Sequence, residues 1–376
     1  MNKNIYFDNA ATTPLIPEVK EVICEKLDEF GNPSSLHTLG FEAEKNMRAT
    51  RDALCKILGA QSVIFTASGS EANNLALLSG AEKNARAGNR IITTNSEHPS
   101  VTECCKALEK RGFDVVYLST HGGKINMEEL EDALSVPVCL VSVMHTNNET
   151  GAVYPIAEIS KRVKKKYPRS LIHSDCVQAF LKSRISLTSL GVDMVSISAH
   201  KVHALKGVGA LALAKPIALS PVIYGGGQEK GIRSGTENTV GIASLGCAAG
   251  VLSKDTERLE NLQKLSDKLV TQLSCVDGVR LNLPEVKSPT VINFSVPGIR
   301  SETLLHALSS RGIFVSSGSA CSSKAKTSPV LEAFGLDKPA LESAVRISFS
   351  GLNTEGEADT FINVLKEEIT RLKGKK

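Results

Sequence analysis

Several absences narrow the possibilities before any motif is read. The chain of 376 residues has no apolar run long enough to span a bilayer. Its most apolar stretch, Val240 to Leu252, is Gly/Ala-rich and reads as a buried helix. The first residues, Met-Asn-Lys-Asn-Ile-Tyr-Phe-Asp, lack the apolar core of a secretory signal, so a cytoplasmic location without membrane partners is expected. Charge bias is also missing: the net charge is only +4, and no basic stripe suited to direct nucleic-acid binding is present. The nine cysteines lack the short paired spacings of zinc or disulfide scaffolds, so no metal site is expected. Cys104 and Cys105 in a helical stretch, and Cys176 on a strand, read as small buried hydrophobes. No Walker-type P-loop occurs. Gly207-Val-Gly209-Ala-Leu-Ala212 fits a relaxed dinucleotide pattern, but it enters a strand rather than a helix. Internal repeats, low-complexity tracts and long linkers are absent.

What is present is an ordinary globular composition, 41% hydrophobic and 22% charged, at a length that exceeds one usual core. Short apolar strands (Ser62–Thr66, Arg90–Thr94, Asp114–Leu118, Val138–Met144, Leu171–Ser174, Met194–Ser198, Gly209–Ala214) alternate with helical patterns (Glu71–Arg86, Ser100–Arg111, Met127–Leu134, Ile156–Lys166). Continuous apolar strands imply burial on both faces, hence an α/β fold with a mostly parallel sheet flanked by helices. After about Asp255 the pattern changes to a smaller α+β unit: helices at Thr256–Ser274, Ser301–Ser310 and from Thr354, with strands at Thr290–Phe294, Ile313–Val315 and Ala344–Ser348. The expected division is a large domain over residues 15–256 and a small domain made of residues 1–14 and 257–376.

Five segments carry chemistry. Ser198-Ala199-His200-Lys201 places a lysine behind a small polar turn, and His173-Ser174-Asp175 ends an earlier strand with an acid. A lysine amine can close a Schiff base on the aldehyde of pyridoxal 5′-phosphate (PLP), and a carboxylate can keep the pyridine nitrogen protonated. Phe65-Thr66-Ala67-Ser68-Gly69-Ser70-Glu71 runs from strand to helix, which is either a phosphate pocket or a turn capped by Ser70. His98, after the strand at residues 90–94, either stacks on a flat ring or packs before the next helix. Ser316-Ser317-Gly318-Ser319-Ala320-Cys321-Ser322-Ser323 opens a polar stretch, about 316–328, expected to be exposed and mobile. A cysteine there has little packing role and is available as a nucleophile, or is an incidental thiol.

Together with Tyr6-Phe7-Asp8-Asn9-Ala10-Ala11-Thr12-Thr13-Pro14, Gly31-Asn32-Pro33-Ser34-Ser35-Leu36-His37, His145-Thr146-Asn147-Asn148-Glu149-Thr150-Gly151, the run Gly225 to Asn238, and Val345-Arg346-Ile347-Ser348, these segments resemble the PLP-dependent cysteine desulfurases of the NifS/IscS-like group, within the class V aminotransferases. The resemblance runs nearly end to end. It implies a fold-type I PLP transferase, active as a homodimer with sites at the subunit interface. It implies that Lys201 forms the Schiff base, Asp175 pairs with the pyridinium, Gln178 reaches the phenolic oxygen and His98 stacks on the ring. Gly69, Ser70, Ser198 and His200 would hold the phosphate, with Thr236 from the partner subunit. Arg346 and Asn148 would bind the carboxylate of L-cysteine, and Cys321 would take its sulfur as a persulfide, releasing L-alanine.

The sulfur would pass to an acceptor protein, either an iron–sulfur scaffold or a tRNA-thiolation enzyme. Two departures stand out. The usual Gly-Pro-Lys-Gly after the lysine is Ala204-Leu205-Lys206-Gly207 here, which bears on the loop's conformation, and little chain follows the last helix, which bears on scaffold docking. Selenocysteine lyase or small-amino-acid aminotransferase chemistry, and an inactive PLP-binding scaffold, are the rival readings.

Overall fold

The computed structural model describes residues 4–317 and 327–374. Its strands are β1 (Ile5–Tyr6), β2 (Ser62–Thr66), β3 (Arg90–Thr94), β4 (Asp114–Leu118), β5 (Val138–Ser142), β6 (Leu171–Asp175), β7 (Met194–Ser198), β8 (Gly209–Leu213), β9 (Arg280–Leu281), β10 (Val291–Ser295), β11 (Ile313–Phe314) and β12 (Ala344–Ser348). Seven form one sheet in the order β2-β8-β7-β6-β5-β3-β4. Strand β8 runs against both neighbours, and the other pairs are parallel.

Side-chain alternation builds a core on each face of this sheet. Val63, Phe65, Ile92, Val141, Ile172 and Val195 join one apolar cluster. Their chain neighbours Ile64, Ile91, Leu140, Leu171 and Met194 join another. The apolar stretch from Val240 is indeed a buried helix, Thr239–Leu252, packed on helices Pro17–Lys26 and Thr38–Leu58. Those two helices are not among the elements expected from sequence. The helix expected over Glu71–Arg86 is present but irregular: Gly69–Asn74, a π turn at Leu75–Ser79, Gly80–Asn84 and a 3-10 turn at Ala85–Ala87.

The second unit is an antiparallel sheet, β12-β10-β9, covered by helices Glu257–Ser274, Ser301–Ser310 and Glu355–Lys373. The N-terminus belongs to it: β1 pairs with β11, and Phe7 sits edge-on to Phe361 at 5.5 Å between ring centres. Among the described residues, no helix is long and apolar enough to cross a membrane. Cys104, Cys105 and Cys176 are buried, as expected of small core residues.

Candidate active site

The carboxyl ends of β2, β3, β6 and β7 open onto one cavity of about 270 Å³, the edge where α/β sheets collect their ligands. Lys201 closes a 3-10 turn, Ala199–Lys201, directly after β7. Its Nζ donates to the carbonyls of Ala10 and Ala11, each at 2.7 Å. Asp175 ends β6 and is 5% exposed. Its carboxylate accepts from Asn73 Nδ2 at 2.7 Å and from the Val177 N–H at 2.9 Å. Asn73 also donates to Ser100 Oγ, so the first turn of one helix and the start of another brace the acid.

Of the two roles left open for Ser70, capping falls to its neighbour. Ser68 accepts from the Glu71 N–H at 3.1 Å, and Ser70 lines the cavity. Two glycines keep this corner open. A Cβ on Gly69 would lie 2.8 Å from Val177 Cγ2, and one on Gly209 would lie 2.3 Å from the Ser68 carbonyl carbon. Backbone atoms of the strand-to-helix turn are therefore bare to the cavity, as an oxyanion cradle requires.

His98 caps helix Pro99–Glu109 with Nδ1, which accepts the Ser100 N–H at 3.2 Å. The neutral ring then carries its proton on Nε2. Burial lowers its pKa, opposed by Asp175 and reinforced by Lys201, so the ring is neutral at pH 7. Beside it, Glu97 is buried and pushed up to about 8 by desolvation, against the pull of the Met144 N–H and Thr94 hydroxyl. His200 is held down at about 4 by burial and nearby lysines, and its Nδ1 lies 3.2 Å from Thr12 Oγ1.

Arg346, on β12, is 2% exposed. It donates to Asp8 Oδ1 at 2.8 Å and to the Asn148 carbonyl at 2.9 Å. Its Nε, like Asn73 Oδ1, is buried with no hydrogen-bond partner among the described residues. Buried orphans of this kind at a cavity wall signal an absent polar guest.

The cavity thus gathers Gly69, Ser70, His98, Asn148, Asp175, Gln178, Ser198, His200, Lys201 and Arg346 from the residues singled out in the sequence. Thr236 is not among them. It lies in a separate recess with Phe65, Arg233 and Asn238. Cys321 lies outside the described residues. The chain enters that segment from Ser316, which pairs with Arg346 through two backbone hydrogen bonds, and leaves it at Ser328, whose hydroxyl donates to Glu149 at 2.6 Å. Asn73, Asp8 and the carbonyls of Ala10 and Ala11 were not assigned roles from sequence.

This donor set suits a phosphorylated pyridine aldehyde: an amine, a braced carboxylate, a neutral imidazole and an open helix start in one cavity. The chain belongs to the class-V aminotransferase family, whose profile matches residues 5–361. It is 40% identical to a cysteine desulfurase of Trichormus azollae, over 98% of this chain and 94% of that one. It is 39% identical to the cysteine desulfurase IscS of Clostridium botulinum, over 98% and 95%. Among solved structures it is similar to a NifS-like protein, with a TM-score of 0.91 at 37% identity, covering 98% of this chain and all of that one. It is also similar to SspA in complex with cysteine, with a TM-score of 0.81 at 32% identity, covering 92% and 99%. Class-V aminotransferases and cysteine desulfurases are PLP-dependent, and the cavity has the residues to hold PLP.

Proposed function

We propose that the chain is a PLP-dependent cysteine desulfurase, taking sulfur from L-cysteine and leaving L-alanine. The observation that carries this is the convergence of Lys201, Asp175, His98 and Arg346 on a single cavity. PLP, when bound, supplies an electron sink for the substrate α-carbon. Asp175, fixed by Asn73 and Val177, would pair with the pyridine nitrogen and keep a proton there. Gly69, Ser70, Ser198 and His200 would take the phosphate, and Gln178 would face the phenolic oxygen. The Arg346 guanidinium, with its orphan Nε and the amide of Asn148, binds the substrate carboxylate. Lys201 would remove the α-proton as general base, and His98 would cover the ring as a neutral imidazole able to exchange a proton through Nε2.

Sulfur transfer is assigned to Cys321 on its sequence setting. Its thiolate attacks the substrate sulfur, an S–S bond forms, and the carbon–sulfur bond breaks. The released electron pair stays on the substrate carbon, which takes a proton to become the methyl group of alanine. Cys321 keeps a persulfide for an acceptor thiol on another protein.

The finer parts of the reading are also proposals. Phe30 (85% exposed), Leu36, Phe41 and Tyr224 (80% exposed) form apolar surface suited to a second copy of the chain. Thr236, outside its own cavity, would then serve the partner's. The large unit spans residues 15–256, and residues 1–14 with 257–376 form the small one. The protein works in the cytoplasm, and its acceptor is an iron–sulfur scaffold or a tRNA-thiolation enzyme.

The test is stoichiometric. With L-cysteine and a thiol reductant, alanine and sulfide should appear in equal amounts without any keto acid. Cys321→Ala should bind L-cysteine yet release no sulfide. Undiminished release, or turnover that requires a keto acid, refutes the assignment.

A further inference from the structure

Lys182 is a buried amine that the chemistry above does not use. It is 8% exposed, and Gln178 Oε1 at 2.8 Å accepts from its ammonium. The charges that act on it are Lys201, Arg346 and Arg258, all positive; with burial as the larger cause they push it down to about 7. Lys182 in turn adds to the positive field at His200 and His203. No carboxylate among the described residues pairs with it, and burying an amine so placed costs folding free energy that an apolar chain of equal length would not.

A second cost lies next to it. Leu181 has φ = +57°, a left-handed conformation that a branched side chain adopts at the expense of strain. Arg258 fixes this bend by donating to the Leu181 carbonyl. The backbone of Lys182 and Ser183 bonds back to Ala179, so the chain folds over and brings Lys182 beside Gln178.

Both costs converge on one amide. Lys182 Nζ donates to Gln178 Oε1, and a backbone carbonyl can only accept. Lys182 therefore takes Gln178 by its oxygen, and Gln178 Nε2 donates to the Ala10 carbonyl at 2.9 Å. That same carbonyl accepts from Lys201. One N–H of the amide is spent on Ala10, and the other is left for the cavity that Gln178 lines.

We propose that Lys182 is a positioning residue for the PLP site: by holding Gln178 through its oxygen, it aims the free amide N–H at the phenolic oxygen of the bound cofactor. The proposal rests on the reading of this cavity as a PLP site. The residue acts through Gln178 and touches neither cofactor nor substrate.

The experiment is a double-mutant cycle on the PLP-loaded protein, with Lys182→Met, Gln178→Ala and the pair. The readouts are PLP affinity and the pH midpoint of the visible absorption band. A donor to the phenolic oxygen favours its anionic form, so K182M should weaken PLP binding roughly tenfold, the size of one hydrogen bond. It should also raise the pH midpoint. In the Gln178→Ala background, K182M should change neither value further. Lys182→Gln, which keeps a donor but no charge, should stay near wild type, and this variant decides the matter if K182M fails to fold.

Unchanged affinity and midpoint in K182M overturn the proposal. So do equal changes in both backgrounds, or a Lys182→Gln variant as impaired as K182M, because charge rather than orientation would then be at work. Wild-type protein that takes up no PLP would instead refute the reading of the cavity itself.

Discussion

Acidification should destabilise this protein through His173, and the size of the effect follows from its setting. His173 lies on β6, two residues before Asp175, and is fully buried. Its Nδ1 and Nε2 each lie 2.9 Å from a serine hydroxyl, Ser142 on β5 and Ser196 on β7. A hydroxyl can donate to one ring nitrogen and accept from the other, so the pair satisfies a neutral imidazole, and burial pushes its pKa down to about 3. Between about pH 6.5 and 3 the unfolded chain takes up a proton that the folded chain refuses. The stabilisation is complete above 6.5 and is lost as pH falls. For one such group, going from pH 7 to pH 5 should remove about 2 kcal/mol. The assay is urea unfolding at both pH values, for wild type and for His173→Asn, which cannot titrate. The wild-type loss should exceed that of the variant by this amount. Equal losses would mean that His173 is protonated or solvated in the folded protein, and the burial argument would fail.

Other perturbations test the site directly. Lys201→Ala should lose the visible band that wild type shows with PLP; an unchanged spectrum rules this lysine out. Asp8→Asn replaces a charged partner of Arg346 by a neutral one, worth about 1.5 kcal/mol, so KM for L-cysteine should rise roughly tenfold with kcat within about twofold. A fall in kcat alone would contradict the carboxylate role of Arg346. Gly209→Val forces a side chain into the Ser68 carbonyl and should cost roughly 3 kcal/mol or more. Full stability with normal PLP binding would show that the strand-to-helix turn is not tightly packed. If the proposed dimer forms through this surface, Phe30→Asp and Tyr224→Asp should shift sedimentation toward monomer, and wild-type behaviour in both would rule this surface out as the dimer face.

The sheet was legible because its strands are short, apolar on consecutive residues and separated by helical periodicity, features carried within a few residues. Lys201, Asp175 and His98 were legible for a related reason: each follows or ends such a strand, so chain order alone puts them on one edge. Thr38–Leu58 went unread because its apolar residues face a partner helix two hundred residues later. Asn73 went unread because its bond to Asp175 spans 102 positions. The same holds for Lys182, whose neighbours Arg258 and Arg346 come from other parts of the chain. The role of Ser70 as opposed to Ser68 depended on a single hydrogen bond that composition cannot rank.

The N-terminal segment shows most clearly what distance along the chain conceals. The Asn9 N–H donates to the Ser348 carbonyl, and the Ala10 N–H to Ser348 Oγ, which fastens residues 9 and 10 to β12. One residue earlier Asp8 holds Arg346, and Thr13 donates its backbone N–H to the His200 carbonyl. A stretch of six residues, Asp8 to Thr13, therefore ties the strand bearing Arg346 to the turn bearing Lys201. The carbonyls of Ala10 and Ala11 lie within this stretch and accept from Lys201 Nζ. In the proposed reaction Lys201 would take the substrate α-proton and become an ammonium. Two fixed carbonyl dipoles, 2.7 Å from Nζ, would stabilise that charge. The acceptors are backbone atoms, positioned by the contacts of Asp8, Asn9 and Thr13. The contacts of the lysine amine and the placement of the arginine are thus set by the same piece of chain.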